Sequence, residues 1–263
     1  MSAASEGAGA AARGSARGMR SGWTLGPTGI LRLGNAILHR VAKPLVIAHR
    51  GAYRSAGAPE NSLAAFRAAR GAGADAVELD VHSASDGTLV VHHDEVVNGK
   101  GPIARLTGAE LSLPTLDQAL DAVGPTVGCF IEVKALDPRC DTRLLATIAQ
   151  GPNPAGYAVH SFDHRIVLRL GAQQPGLSRG VLSTAYPIRP LGLLEDAGAT
   201  TLWQERRLVD DRLVDTLHRA GARLIVWTVD RPDEMERLVA LGVDGLCSNV
   251  PDVARRVVDA RKP

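Results

Sequence analysis

Aromatic side chains make up only 3% of the 263 residues, so a core has to be built from aliphatic side chains rather than rings. Cysteine is scarcer still. Cys129, Cys140 and Cys247 are scattered, odd in number and form no C-x-x-C pair, which excludes a disulfide framework and fits a reducing compartment. No apolar run approaches the length that spans a bilayer. The net charge is only +2, with no basic stripe interleaved with aromatics, which removes nucleic acid from the expected partners. No G-x-G-x-x-G follows the first strand-like run, so the main signature of a dinucleotide fold is missing.

The N-terminus differs from the rest. Residues 1–28 open with "MSAASEGAGAAARGSARGMRSG", a low-complexity tail with one acid, Glu6, and no apolar core of the kind a secretory signal needs. We read it as disordered, and the missing signal and unpaired cysteines give a cytoplasmic expectation. Over 29–43, Ile30, Leu33, Ile37, Leu38 and Val41 recur at helical spacing with Arg32, Arg40 and Lys43 alongside. This predicts an amphipathic helix closing the bottom of the following domain. Its basic flank also permits peripheral membrane contact, which is the less favoured reading.

Residues 44–263 alternate between β-branched runs and Ala/Leu/Arg-rich helical stretches. Strands are predicted at 45–49, 76–82, 130–134, 157–162, 179–183, 200–204, 223–229 and 245–249, with an additional strand-like piece in "TLVVHHD". Helices are predicted at 62–71, 116–123, 141–149, 164–172, 191–197, 210–220, 232–241 and 252–260. Glycines just past several of these, as at Gly71, Gly221 and Gly242, suit helix C-caps. Roughly eight strand–helix units in one domain of this length predict a single-domain α/β fold, the TIM (β/α)8 barrel, whose chemistry sits at the C-terminal ends of the strands. Polar residues do collect there: His49 and Arg50, then Glu78 and Asp80, then Glu132 and Lys134, with His160, Trp227 and Ser248-Asn249 later.

"AVELDVHS" is the strongest local signal. A period of two puts Glu78, Asp80 and His82 on one face and Val77, Leu79 and Val81 on the other. With the apolar face against helices, both acids point into the barrel. "CFIEVKA" repeats the arrangement with Glu132 and Lys134. Three inward carboxylates repel one another and raise one another's pKa. A divalent cation removes the conflict, and an all-oxygen ligand set favours Mg²⁺ or Ca²⁺. The alternative is an internal salt-bridge layer neutralised by Arg50 and Lys134, a weak stability device. We take the metal reading. His49, with His92 and His93 in "LVVHHD", adds imidazoles beside that charge. One could take a proton from a nucleophile and another return one to a leaving oxygen, which suits phosphoryl transfer.

On these residues the chain resembles the glycerophosphodiester phosphodiesterase family. The match runs through "HRG" at 49–51, "PENS" at 59–62, "AFRAARGAGADAVELDV" at 65–81, "DGTLVVHHD" at 86–94 and "IEVK" at 131–134. Weaker echoes follow in "HSFD" at 160–163, "VWTVD" at 226–230 and "GVDGLCSNVPD" at 242–252. The resemblance implies a metal-dependent hydrolase of lipid and glycerol metabolism that releases glycerol 3-phosphate and an alcohol from small-molecule glycerophosphodiesters. It makes His49 and His93 the acid/base pair, since His93 directly precedes Asp94. Glu78, Asp80 and Glu132 become ligands of Mg²⁺ or Ca²⁺, and Arg50 and Lys134 phosphate contacts. Glu60, Asn61 and Trp227 are taken as further substrate contacts, although capping of the helix at Ser62 explains Glu60 and Asn61 equally well. The substrate's own glycerol hydroxyl is expected to attack first, giving a cyclic phosphate that water opens.

The chain departs from the family pattern in three places. Ala84 stands where the family usually has Thr, and no Arg follows His93-Asp94 in "DEVVNGKG". The segment leading to the next helix is short, so a reduced cap is expected. Asp230 and Asn249 stand where Asn and Asp are usual. These bear on substrate choice rather than reaction class. A lysophospholipase D or sphingomyelinase D type enzyme is the nearest alternative, and a non-catalytic binding barrel the more distant one. "GLSRG" at 176–180 matches G-x-S-x-G, but a helix precedes it and a strand follows, the reverse of a nucleophile elbow.

Overall fold

The computed structural model describes residues 22–25, 31–33 and 43–260. Gly22–Leu25 and Leu31–Leu33 pair antiparallel, with Leu25 opposite Leu31. A helix is expected over 29–43, yet residues 31–33 of that span are strand. The sequence between the two strands includes Gly26, Pro27 and Gly29, residue types with low helix propensity. Of the expected disordered tail, residues 22–25 are likewise strand; apart from Lys43, the remainder of the tail and of the expected helix lies outside the described residues.

From residue 45 the chain is a barrel. Its strands are β1 (Leu45–His49), β2 (Ala76–Ser83), β3 (Gly128–Ala135), β4 (Tyr157–Ser161), β5 (Ser178–Ser183), β6 (Thr201–Glu205), β7 (Arg223–Trp227) and β8 (Gly245–Ser248). Each pairs in parallel with the next, and β8 returns to β1, Gly245 opposite Leu45, so the sheet closes. The principal helices are α1 (Leu63–Ala68), α2 (Leu116–Val123), α3 (Asp141–Gln150), α4 (His164–Gln173), α5 (Pro190–Ala197), α6 (Asp211–Arg219), α7 (Pro232–Leu241) and α8 (Pro251–Ala260), one after each strand. The predicted TIM barrel is therefore observed.

Strand periodicity sorts the side chains into two layers. Val77, Leu79, Val81, Cys129, Ile131 and Val133 face outward and pack with Leu116, Leu120, Leu144 and Leu170 of the helices. Val46, Val181, Leu202, Leu224, Val226 and Leu246 do the same around the other half. Inside the barrel, Ile47, Leu182, Trp203, Ile225 and Cys247 form a smaller core. Trp203 lies edge-on to Phe130, with ring centroids 5.1 Å apart, and stacks flat on His160 at 4.0 Å. The indole is accommodated because position 180 is glycine: a Cβ there would come within 2.8 Å of Trp203 Cδ1. This aliphatic and aromatic plug fills the barrel beneath the polar mouth.

The expected extra strand is Leu89–Val91, which pairs antiparallel with β2. After it comes a compact insert that the sequence reading leaves as a short connection. Val96–Val97 pairs antiparallel with Gly101–Pro102, and a helix, Gly108–Leu111, starts at a Thr107/Glu110 capping box. Ile103 and Leu111 pack with Ala84 and Val90 in a small core of their own. The segment is thus a folded unit rather than a bare loop.

Candidate active site

β1 ends in His49, and the chain then turns sharply. Arg50 takes φ 55° and Gly51 φ 82°. A side chain at Gly51 would lie 2.8 Å from the Ala65 backbone, so glycine is required where the turn presses on α1. The left-handed Arg50 directs its own N–H to Glu78 Oε2 at 3.1 Å. Its guanidinium pairs with Glu60 Oε1 at 2.7 Å and approaches Asp80 Oδ2 at 3.3 Å. A left-handed arginine costs conformational energy, and such strain is found where surrounding contacts over-determine the backbone.

Asn61 also has a left-handed backbone, φ 54°, and is buried. Its Nδ2 donates to Asp80 Oδ2 at 2.7 Å, and its Oδ1 accepts from the Asp80 N–H at 3.3 Å. Helix α1 is capped instead by Ser62, whose Oγ accepts from Ala65 N at 3.2 Å. The capping role proposed for Glu60 and Asn61 therefore falls to Ser62, and both residues turn toward the mouth.

Glu78, Asp80 and Glu132 point inward as their spacing predicts, and Lys134 bridges two of them. Its ammonium lies 2.7 Å from Glu132 Oε1 and 3.1 Å from Asp80 Oδ1. The three acids differ in electrostatic setting. Burial disfavours ionised Asp80, but Lys134 and Arg50, aided by Asn61, outweigh it and hold its carboxyl below the usual range. Burial, reinforced by Asp80 and Glu132, raises Glu78 well above that range. Burial and Asp80 push Glu132 up to about 7. Asp80 is thus the acid held ionised by its cations, while Glu78 is held protonated and Glu132, beside Lys134, is held near neutrality.

Glu78 Oε1 is buried and meets no hydrogen-bond donor among the described residues. His160, 1% exposed, sits opposite Glu132 in the β3–β4 register and has an equally unpartnered Nδ1. Glu78, Glu132 and His160 each bring one ligand atom to within 4.8 Å of the others. Burial holds the imidazole neutral, its pKa pushed down to about 3, which is the form that ligates a cation. These residues suit a divalent cation. In this arrangement Asp80, the other expected ligand, is taken up by Arg50, Asn61 and Lys134.

His49 is mostly buried, and its Nδ1 lies 2.7 Å from Asn249 Oδ1. Burial and then Arg50 lower its pKa, so the neutral base prevails at pH 7. His93 lies on the loop after Leu89–Val91. Two bonds anchor that loop: His92 N–H to Asp80 O at 3.1 Å, and the His82 ring to His93 O at 3.3 Å. The His93 Nδ1 meets Asp94 Oδ1 at 2.7 Å. Trp227 closes β7 and lies edge-on to Phe162, centroids 5.4 Å apart. His160, Asp230 and Asn249 are the site residues missing from the sequence-based set. The available signal was their position at strand ends.

Residues 49–253 match the glycerophosphoryl diester phosphodiesterase family. A glycerophosphodiester phosphodiesterase of Caldanaerobacter subterraneus subsp. tengcongensis is 32% identical over 240 residues, which cover 82% of this chain and 98% of that protein. Among solved structures, a glycerophosphodiester phosphodiesterase from Parabacteroides distasonis superposes with a TM-score of 0.76 at 25% identity, covering 83% of this chain and 98% of the other. An Oleispira antarctica phosphodiesterase, solved in complex with the product sn-glycerol-3-phosphate, has a TM-score of 0.75 at 23% identity, covering 82% and 97%, a likeness of fold.

Proposed function

The chain belongs to the glycerophosphoryl diester phosphodiesterase family, and we propose that it hydrolyses glycerophosphodiesters to glycerol 3-phosphate and an alcohol, with His49 and His93 as the acid/base pair. The observation that carries the proposal is the gathering of His49, Arg50, Glu78, Asp80, Glu132 and Lys134 into one network at the ends of β1 to β3. A histidine beside paired cations and under-compensated acids is a setting for an anionic phosphodiester and a divalent cation together.

In this reading Glu78, Glu132 and His160 would hold the cation, and Asp80, paired with Arg50 and Lys134, would stand beside it. When bound, the cation offsets the negative charge of the phosphoryl oxygens and makes phosphorus a better electrophile. Oxygen ligands alone favour Mg²⁺ or Ca²⁺, whereas the imidazole extends the choice to Mn²⁺. Arg50 and Lys134 orient the phosphate and bear the charge that builds on its equatorial oxygens. His49 Nε2 takes the proton of the attacking glycerol hydroxyl as the new O–P bond forms. His93 gives a proton to the alcohol oxygen as the old P–O bond breaks. In the second step His93 takes a proton from water, and His49 returns its proton to the ring oxygen that leaves, so both histidines regain their starting state.

The test is glycerol 3-phosphate release from glycerophosphocholine and glycerophosphoethanolamine, with Mg²⁺, with Ca²⁺ and with EDTA, alongside His49→Ala. Turnover lost in EDTA and in the variant is the expected result. A folded protein inactive with every cation refutes the reading.

One observation favours a lipid diester as a second reading. Phe162 is exposed beside Trp227, and Ile188, 99% exposed, projects from the loop after β5 on the same side of the barrel. Preference for lysophosphatidylcholine over glycerophosphocholine would select it.

A further inference from the structure

The side of His49 away from the acids is as ordered as the side toward them. Its Nδ1 stands 2.7 Å from Asn249 Oδ1. An amide's oxygen and nitrogen are alike in shape, so its orientation has to be read from its partners. Asn249 Nδ2 donates to Asp230 Oδ2 at 2.8 Å, and a carboxylate can only accept. The Asn249 amide therefore turns its NH₂ to Asp230 and its oxygen to His49. That oxygen also only accepts, so the His49 proton is on Nδ1 and the lone pair on Nε2. Nε2 is 3.9 Å from Glu78 Oε2, too far for a hydrogen bond, so its lone pair remains available.

Asp230 is held in turn. Its Oδ1 accepts from the Asn249 backbone N–H at 2.8 Å and from Ser248 Oγ at 3.2 Å. Ser248 Oγ accepts from Val250 N–H at 3.1 Å, which fixes the turn leaving β8. Arg54 comes no closer to Asp230 than 3.7 Å and is half exposed, so it adds little. The carboxylate thus has three donors, all from the end of β8 and two of them from Asn249.

We infer that Asp230 is a positioning residue that acts through Asn249 to hold His49 as the Nδ1–H tautomer, with Nε2 presented as the base. The assignment rests on the role given to His49 under the proposed function. A single acceptor at Nδ1 sets the tautomer, and Asp230 prevents the amide from rotating to offer a donor instead. As Nε2 takes up a proton, the growing positive charge meets Asn249 Oδ1 directly and the Asp230 carboxylate one residue further on. The relay differs from a carboxylate placed directly on the imidazole: the ring is oriented by a neutral group, and the charge stands behind it.

The test uses the full chain labelled with ¹⁵N-histidine, at a pH where the imidazole is neutral. The His49 resonance is assigned by its loss in His49→Gln. The wild type is expected to show a protonated Nδ1 and an unprotonated Nε2. In Asp230→Ala a mixture of tautomers is expected, with kcat down about tenfold and KM within about twofold. The exchange Asp230→Asn with Asn249→Asp provides the second arm. Asn at 230 keeps an oxygen for Ser248 and the backbone and gains an NH₂ for the new carboxylate, which accepts from His49 Nδ1. Each single substitution breaks the chain, and the double variant is expected to recover kcat to within about threefold of wild type with one tautomer. A wild-type tautomer in Asp230→Ala, or a double variant no better than the singles, overturns the inference. Should the wild type turn over no diester, the proposed function fails while the tautomer spectrum still decides this assignment.

Discussion

Glu132 and His160 face one another across the β3–β4 ladder, a carboxyl raised to about 7 beside an imidazole kept neutral. Both groups are in the protonation range from which a cation displaces at most one proton, and His160 Nδ1 meets no donor or acceptor among the described residues. Binding of Mn²⁺ should therefore be tighter than that of Ca²⁺ by about tenfold, since a nitrogen ligand favours a transition metal over a hard alkaline-earth ion. Isothermal titration of the metal-free protein checks this, and His160→Asn should bring the two affinities together. Equal affinities in the wild type would leave the imidazole outside the ligand set.

Lys134 is the one ammonium between Asp80 and Glu132 among the described residues. Replacing it with Met leaves two buried acids facing each other with Arg50 as their remaining counter-charge. Loss of one partner from a buried pair costs about 3 kcal/mol. Urea unfolding of Lys134→Met without metal should show a loss of that order. Added divalent cation should restore part of it, because the ion replaces the missing positive charge. Activity should remain about a hundredfold down even when metal is saturating, since the phosphate contact proposed for Lys134 would be gone.

Away from the mouth, His218 on α6 bonds Asp244 Oδ2 at 2.9 Å, and the same oxygen accepts from Leu224 N–H at 2.7 Å. The bond to Asp244 raises the His218 pKa above its ordinary 6.5. Because the folded value exceeds the unfolded one, the protonated form is the one stabilised on folding. The contribution is complete below about pH 6.5 and is lost as pH rises through the folded pKa. The stability difference between wild type and His218→Gln should shrink across that window. A difference that grows toward alkaline pH would contradict the assignment.

Gly180 allows Trp203 to lie across β5, and Thr201 O is 3.1 Å from where a Cβ would be. Gly180→Ala forces indole or backbone to move and should cost about 1–3 kcal/mol. The His160–Trp203 stack would shift with it, so metal affinity and tryptophan emission should change together in this variant.

Much of the barrel was legible because a period of two is a local property. "AVELDVHS" and "CFIEVKA" declare their inward faces from residue order alone, and Glu78, Asp80, Glu132 and Lys134 are found where that order places them. Register between strands is not local. That His160 falls level with Glu132 depends on how far β4 is staggered against β3, which no short stretch of sequence encodes. Asp80 reads like its neighbours, yet it is drawn into Arg50, Asn61 and Lys134 by loops whose left-handed turns at residues 50 and 61 carry no unambiguous signal. Ser62, not Glu60 or Asn61, caps α1, a choice decided by the pull of the mouth on the two residues before it. The insert after Leu89–Val91 looked like a plain connection because its core is only four buried side chains.

The closing pair β8–β1 has a consequence for how activity arises during synthesis. His49 leaves the ribosome early, but Asn249, its partner at Nδ1, follows 200 residues later. Until the eighth strand docks beside the first, the imidazole has no fixed orientation and the ring of acids is open to water on one side. Under the proposed function, the orientation of His49 is thus tied to the pairing that closes the barrel, β8 on β1.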